Sequence, residues 1–168
     1  MTAPRQERYA WRAGVAFFAL LAGFLATNGL DWAASATTTE RVVANRYSGL
    51  AIEGFDPVAY FTDSTAVQGM PEFEATEAGT VWRFRNEGNR ASFVAHPEVY
   101  GPQFGGYDPT DLGRGVTYAG NPRFWVVTGQ RLYLFGREES RDAFAADPAR
   151  FLTGAQMRWP VLEQSLAQ

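Results

Sequence analysis

Cysteine is absent from this 168-residue chain, and its absence excludes thiol catalysis, disulfides and thiolate metal sites. Lysine is absent as well. All 15 basic residues are arginine, which removes Schiff-base, P-loop and general-base lysines. The one histidine is His96, so a histidine-rich metal site cannot form within one chain, and a catalytic triad would have to use that residue. Positive charge is scarce too. Beyond Ala36, twelve arginines face sixteen aspartates and glutamates, a net charge of −4, which argues against a nucleic-acid partner. Long apolar runs are also missing. The one run of note, Ala13–Ala26, has 14 residues, short of the roughly 20 that cross a bilayer.

What is present begins with a leader pattern. Arg5, Arg8 and Arg12 precede the apolar run, Asn28, Gly29 and Asp31 break it, and Ala34-Ser35-Ala36 fits the small-x-small cleavage rule. Residues 1–36 therefore read as a secretory signal, which predicts a periplasmic or secreted protein. The alternative is an uncleaved N-terminal anchor, the only membrane contact expected. Residues 37–53 read as a linker leading in, and 54–168 as one domain with enough length for a real core. Aromatics make up 15% of the chain, which predicts a core of large flat side chains.

The domain is written twice. Pro71–Tyr100 lies over Pro122–Phe151 at an offset of 51 without a gap, with eight identities in thirty: Pro71, Phe73, Phe84, Glu87, Arg90, Phe93, Ala95 and Pro97 all recur. Upstream, Gly54-Phe55-Asp56-Pro57 matches Gly106-Tyr107-Asp108-Pro109 at an offset of 52. The repeats run from about 54 to 100 and from about 106 to 151. Each opens with Asp-Pro, an N-cap followed by a first-turn proline. Two strands follow, Phe73–Glu77 with Val81–Arg85 and Phe124–Thr128 with Arg131–Phe135, turning near Gly79 and Gly129. Trp82 and Phe84 alternate with Arg83 and Arg85, a half-buried pattern; the second hairpin is apolar on both faces and is expected to be more central. A helix then carries Arg90, Phe93 and Val94, matched by Arg141, Phe144 and Ala145, with the apolar positions facing the sheet. A closing helix from Ala149 to about Leu166 is expected to break before Pro160. The fold class is α+β, a duplicated β-hairpin-plus-helix unit with a pseudo-twofold core.

At Gly54–Phe61, Asn89–Tyr100 and Gly105-Gly106-Tyr107 the chain resembles YHS-domain proteins, nearest to the exported bacterial type, over about residues 45 to 165. The resemblance implies a small α+β fold related to metal-binding modules found beside copper pumps and in some hydroxylases, and hence a role in metal handling. The cysteines of that pattern are replaced here by Arg85, Gly88, Gly136, Glu139 and Asp108, so a transition metal would have to be held without them.

The candidate site residues are His96, Tyr107, Asp108, Asp111 and Arg114. His96 precedes Pro97 as Asp147 precedes Pro148, which favours a helix-cap position over an acid–base or ligand role. Tyr107 to Asp111 offers two carboxylates and a carbonyl to a hard cation, or an Asp-capped turn like that at Asp56. Arg114, in Gly113-Arg114-Gly115, suits a carboxylate or phosphate, while the glycines there and at 105–106 suit turns with positive φ. Arg90 and Arg141 sit three residues after Glu87 and Glu138, a helical ion-pair spacing. No cofactor and no catalytic residue is evident. The function expected is a small-ligand- or metal-binding module without chemistry; the alternative is a structural or protein-interaction module of the cell envelope, with an apolar patch and no polar pocket.

Overall fold

The computed structural model describes residues 40–166, so the secretory signal expected over 1–36 lies outside the described residues. Among those described, no helix is long and apolar enough to cross a membrane. The architecture is α+β, two small antiparallel hairpins each covered by helices. Element order is α1 (Ala59–Thr62), β1 (Met70–Glu77), β2 (Thr80–Phe84), α2 (Glu87–Ala95), α3 (Pro97–Tyr100), α4 (Pro109–Leu112), β3 (Asn121–Thr128), β4 (Arg131–Phe135), α5 (Glu138–Ala146) and α6 (Pro148–Ser165).

The duplication holds bond by bond. Both hairpins keep the same register at an offset of 51, Glu74 opposite Arg83 and Trp125 opposite Leu134. Each carries the same irregularity four residues earlier, at Met70 and Asn121. Both turns place two successive residues at positive φ, Ala78-Gly79 and Gly129-Gln130, the twist that two-residue hairpin loops require. The repeat also starts earlier than its sequence match. Ile52, Glu53 and Gly54 form a left-handed turn with φ of 43°, 56° and 78°, and Phe104, Gly105 and Gly106 repeat it at 56°, 62° and 89°. Leu50 and Pro102 each bridge in parallel to the second strand of their hairpin.

The segment expected to be a linker is thus part of the fold. Leu50, Ala51 and Ile52 are buried, and the Val43 N–H donates to the Gly105 carbonyl at 2.8 Å. That crossing explains a difference between the halves. A Cβ on Gly105 would lie 1.8 Å from the Arg41 carbonyl oxygen, whereas its counterpart Glu53 is exposed and keeps a side chain.

Packing corrects three further expectations. Phe93 and Phe144 are buried on their hairpins, but Val94 is 60% exposed, since adjacent helical residues point about 100° apart. The closing helix α6 runs unbroken through Pro160. The lost hydrogen bond falls on a turn where Gln156 and Pro160 are exposed, while Trp159 and Leu162 pack against the buried Tyr107 and Leu112. Finally, the core is shared unequally between the halves, although each hairpin packs an equivalent aromatic trio, Trp82, Phe84 and Phe93 or Tyr133, Phe135 and Phe144. Tyr133 and Phe135 of β4 face their own helix at Phe144, and Leu132 and Leu134 join the first half's core of Ile52, Val58, Tyr60, Trp82 and Phe84. Their counterparts Val81 and Arg83 make no such reach; Arg83 pairs with Glu74 at 2.8 Å instead. The second hairpin is the central one, as its apolar faces predict.

Tyr60 ties the halves together. Its hydroxyl donates to the buried Pro122 carbonyl at 2.8 Å and its ring meets Trp125 edge-on at 5.3 Å. Burial, reinforced by the nearby Asp56 carboxylate, pushes the phenol far above its ordinary value of 10.0. Burial raises Tyr107 and Tyr133 as well. A value raised in the folded state makes the contribution complete below about pH 10 and lost as the pH climbs beyond it. Urea unfolding at pH values from 7 to 11 is therefore expected to show stability falling above about pH 10. Tyr60→Phe should shrink that fall and lower stability at pH 7 by about 1–2 kcal/mol. An alkaline profile identical in the two proteins would refute the assignment.

Candidate functional site

Asp56 and Asp108 are wholly buried at matching places. In each, Oδ1 accepts a hydrogen bond from the backbone N–H two residues on, Val58 or Thr110, both at 2.9 Å. In each, Oδ2 accepts from the backbone N–H just past the hairpin's second strand, Arg85 at 2.8 Å or Gly136 at 2.9 Å. The Asn89 side chain adds a third donor to Asp56 at 2.7 Å, and the Thr110 hydroxyl adds one to Asp108 at 2.7 Å. Such charge-assisted bonds fix the Asp-Pro turn to its hairpin. The turn expected at Asp108 is present, with Oδ1 committed to it and Oδ2 to the hairpin.

The other expected site residues divide. The Tyr107 hydroxyl donates to the Glu40 carbonyl at 2.6 Å, and its ring lies 6.1 Å from that of Trp159. His96 links α2 to α3 as expected, but its ring caps neither. The side chain is 64% exposed, with Nδ1 3.5 Å from Glu98, and lines none of the cleft described below. By contrast Asp147, its counterpart, does cap, accepting from the Arg150 N–H at 3.2 Å. The ion pairs expected on α2 and α5 are formed, Arg90 to Glu87 at 2.6 Å and Arg141 to Glu138 at 2.7 Å, both on the surface. Asp111 and Arg114 are the two candidates that meet. Asp111 is buried, and Arg114 pairs with it while keeping 67% of its own side chain exposed. Arg137 holds the same carboxylate from the other side, its Nη2 3.0 Å from Oδ2 and 3.2 Å from Oδ1. The Asp108 carboxylate thus faces N–H groups and a hydroxyl, and the Asp111 carboxylate faces guanidiniums. Among the described residues no group of three metal-ligating side chains is assembled.

Arg114 and Arg137 stand on the wall of an open cleft of about 500 Å³ between α4, α5 and α6. Arg150 lines it too, its guanidinium 5.4 Å from the Phe151 ring centroid, as do Glu139, Thr110 and the 91%-buried Ser140. Gly113, Gly154, Ala143 and Phe151 complete the lining without donor or acceptor side chains. Gly113 does not take the expected positive φ, which only Gly115 in that loop has. The close approach of α4 and α6 is Gly154's doing, since a Cβ there would sit 3.3 Å from the Gly113 Cα. The first half has Phe61 at this position, stacked edge-on against Tyr100 at 5.4 Å, because α3 ends where α6 continues.

Arg137, Arg150 and Ser140 escape a search for motifs, since nothing in their neighbouring residues marks them. The repeat itself holds the signal. Arg114, Arg137, Glu139 and Arg150 stand where the first half has Thr62, Asn86, Gly88 and Val99, and Asp111 stands where it has Ala59. Asn86 caps α2 by accepting from the Asn89 N–H at 2.8 Å, whereas Arg137 provides no cap. The first turn of α5 therefore leaves its N–H groups and partial positive charge beside the cleft.

No model of a protein family, no curated protein and no solved structure matches this chain.

The paired carboxylates carry a direct test. Asp56→Ala and Asp108→Ala each leave buried N–H donors without partners, and each should cost about 3 kcal/mol or more in urea unfolding. A loss under about 1 kcal/mol in either variant would show that the clamp does not hold that half.

Proposed function

We propose that the protein is a small-ligand-binding module without chemistry of its own, that its site is the arginine-lined cleft of the second half, and that its ligand is an anion. One observation carries this reading: every charged side chain lining the cleft replaces a neutral one in the first half. The first half builds the same turn, hairpin and helix with Thr62, Asn86, Gly88 and Val99, so the shared unit does not require charge there. Within the second half Arg114 and Arg137 also offset the buried Asp111, while Arg150 and Glu139 make no ion pair with it. Charge that folding does not need is a mark of binding.

The electrostatics agree. Three guanidiniums against Asp111 and Glu139 leave the cleft with a positive balance on a chain whose net charge is −3. Arg114 and Arg137 are held by one buried carboxylate and present their remaining donors outward, an arrangement suited to carboxylate or phosphate oxygens. An interaction module would have a continuous apolar patch and no polar pocket, and this cleft has polar groups in its lining. The leader pattern of residues 1–36 supports a periplasmic or secreted setting.

Isothermal titration of the full chain with acetate and with orthophosphate at low ionic strength tests the reading. Saturable binding of at least one anion is expected, weakened at least tenfold in Arg114→Gln/Arg150→Gln and by added salt. Arg150 is exposed and Arg137 still holds the buried Asp111 carboxylate, so the variant should stay folded, with a melting temperature lowered by the loss of Arg114. Binding of neither anion, or binding untouched by the double substitution, would discard the reading.

A further inference from the structure

Resting on the anion reading, we infer the class of ligand: a monocarboxylic acid whose carboxylate meets the arginines and whose apolar body lies against the apolar lining of the cleft. Three features argue for it. The first is size. An open cleft of about 500 Å³ leaves room beside the arginines for more than a bare inorganic oxyanion. That room suits an anion with an organic body.

The second feature is a mixed lining. Arg114, Arg137, Arg150 and Ser140 bring polar groups, while Gly113, Ala143, Gly154 and Phe151 bring no donor or acceptor side chain. Two glycines and an alanine leave space, and Phe151 adds a ring against which the Arg150 guanidinium also lies. A head-and-body ligand matches both kinds of lining, whereas a polyanion would leave charge against the apolar residues.

The third is charge. Arg114, Arg137 and Arg150 outnumber Asp111 and Glu139 by one, so a single negative charge brings the site to neutrality. A planar carboxylate also matches the guanidinium fork in two-point contact.

The test compares acetate, hexanoate and orthophosphate by calorimetry on the full chain, in the parent, in Arg114→Gln/Arg150→Gln and in Ala143→Gln. Ala143 is exposed on α5, and glutamine there narrows and polarises the apolar lining without altering charge. Hexanoate is expected to bind at least tenfold more tightly than acetate, since buried methylenes add favourable transfer free energy. Ala143→Gln should abolish most of that difference, and the arginine variant should weaken both acids together. Hexanoate no tighter than acetate, orthophosphate strongest of the three, or a hexanoate advantage that survives Ala143→Gln would each overturn the ligand class. In those outcomes the anion site stands as long as the arginine variant still weakens binding; if none of the three binds, the site itself fails.

Discussion

A carboxylate sunk in an apolar core is costly unless donors meet its oxygens, and both halves of this protein meet that condition with the same backbone groups. Asp56 and Asp108 are wholly buried, and each joins the start of an Asp-Pro turn to the residue just past the second strand. Turn and hairpin are far apart in sequence, 29 residues for Asp56 and Arg85 and 28 for Asp108 and Gly136. Hydrophobic burial alone would bring them together without fixing their angle, because it has no direction. The carboxylate supplies that direction. The bulged hairpin register and the left-handed turn before each aspartate then repeat in both halves.

With the frame fixed twice, the halves were free to diverge elsewhere. The first half closes its hollow with Phe61 on Tyr100, caps α2 with Asn86 and ends α3 after one turn. The second half puts glycine for Phe61 and arginine for Asn86, and extends the last helix to Ser165. The extension covers what Phe61 covers in the first half, through the close contact of Gly113 and Gly154. A cleft with charged walls is what remains between α4, α5 and α6.

Much of the fold was legible in the sequence because its determinants are local. The hairpins follow from alternation at Trp82 and Phe84 and from glycine at the turns, and the duplication makes each half a check on the other. What was hidden depends on contacts distant along the chain. Nothing near residues 40–45 signals that they cross Gly105, and Gly105 shows why only in the folded protein. Pro160 marks a break by local rules, yet Trp159 and Leu162 pack well enough to carry the helix through it. At the site, Asp111 and Arg114 were visible because each lies in a local motif, Asp108-Pro109-Thr110-Asp111 and Gly113-Arg114-Gly115; Arg137 and Arg150 come from two other helices. Their signal was the substitution of charge for neutrality between the halves, which a search for motifs passes over. His96 drew notice as the only imidazole and proved to be an exposed linker residue beside Glu98.

The unequally shared core bears on how the chain folds as it emerges from the ribosome. Leu132 and Leu134 complete the core around Ile52, Tyr60 and Phe84, and Tyr60 finds its acceptor at Pro122. An emerging chain that has reached Tyr100 thus has its first hairpin and helix but lacks one wall of its core. That wall arrives more than thirty residues later. Until then Tyr60 and its neighbours stay wet, and the amino-terminal half remains loosely packed. The first half's core is therefore complete only once the second hairpin is in place.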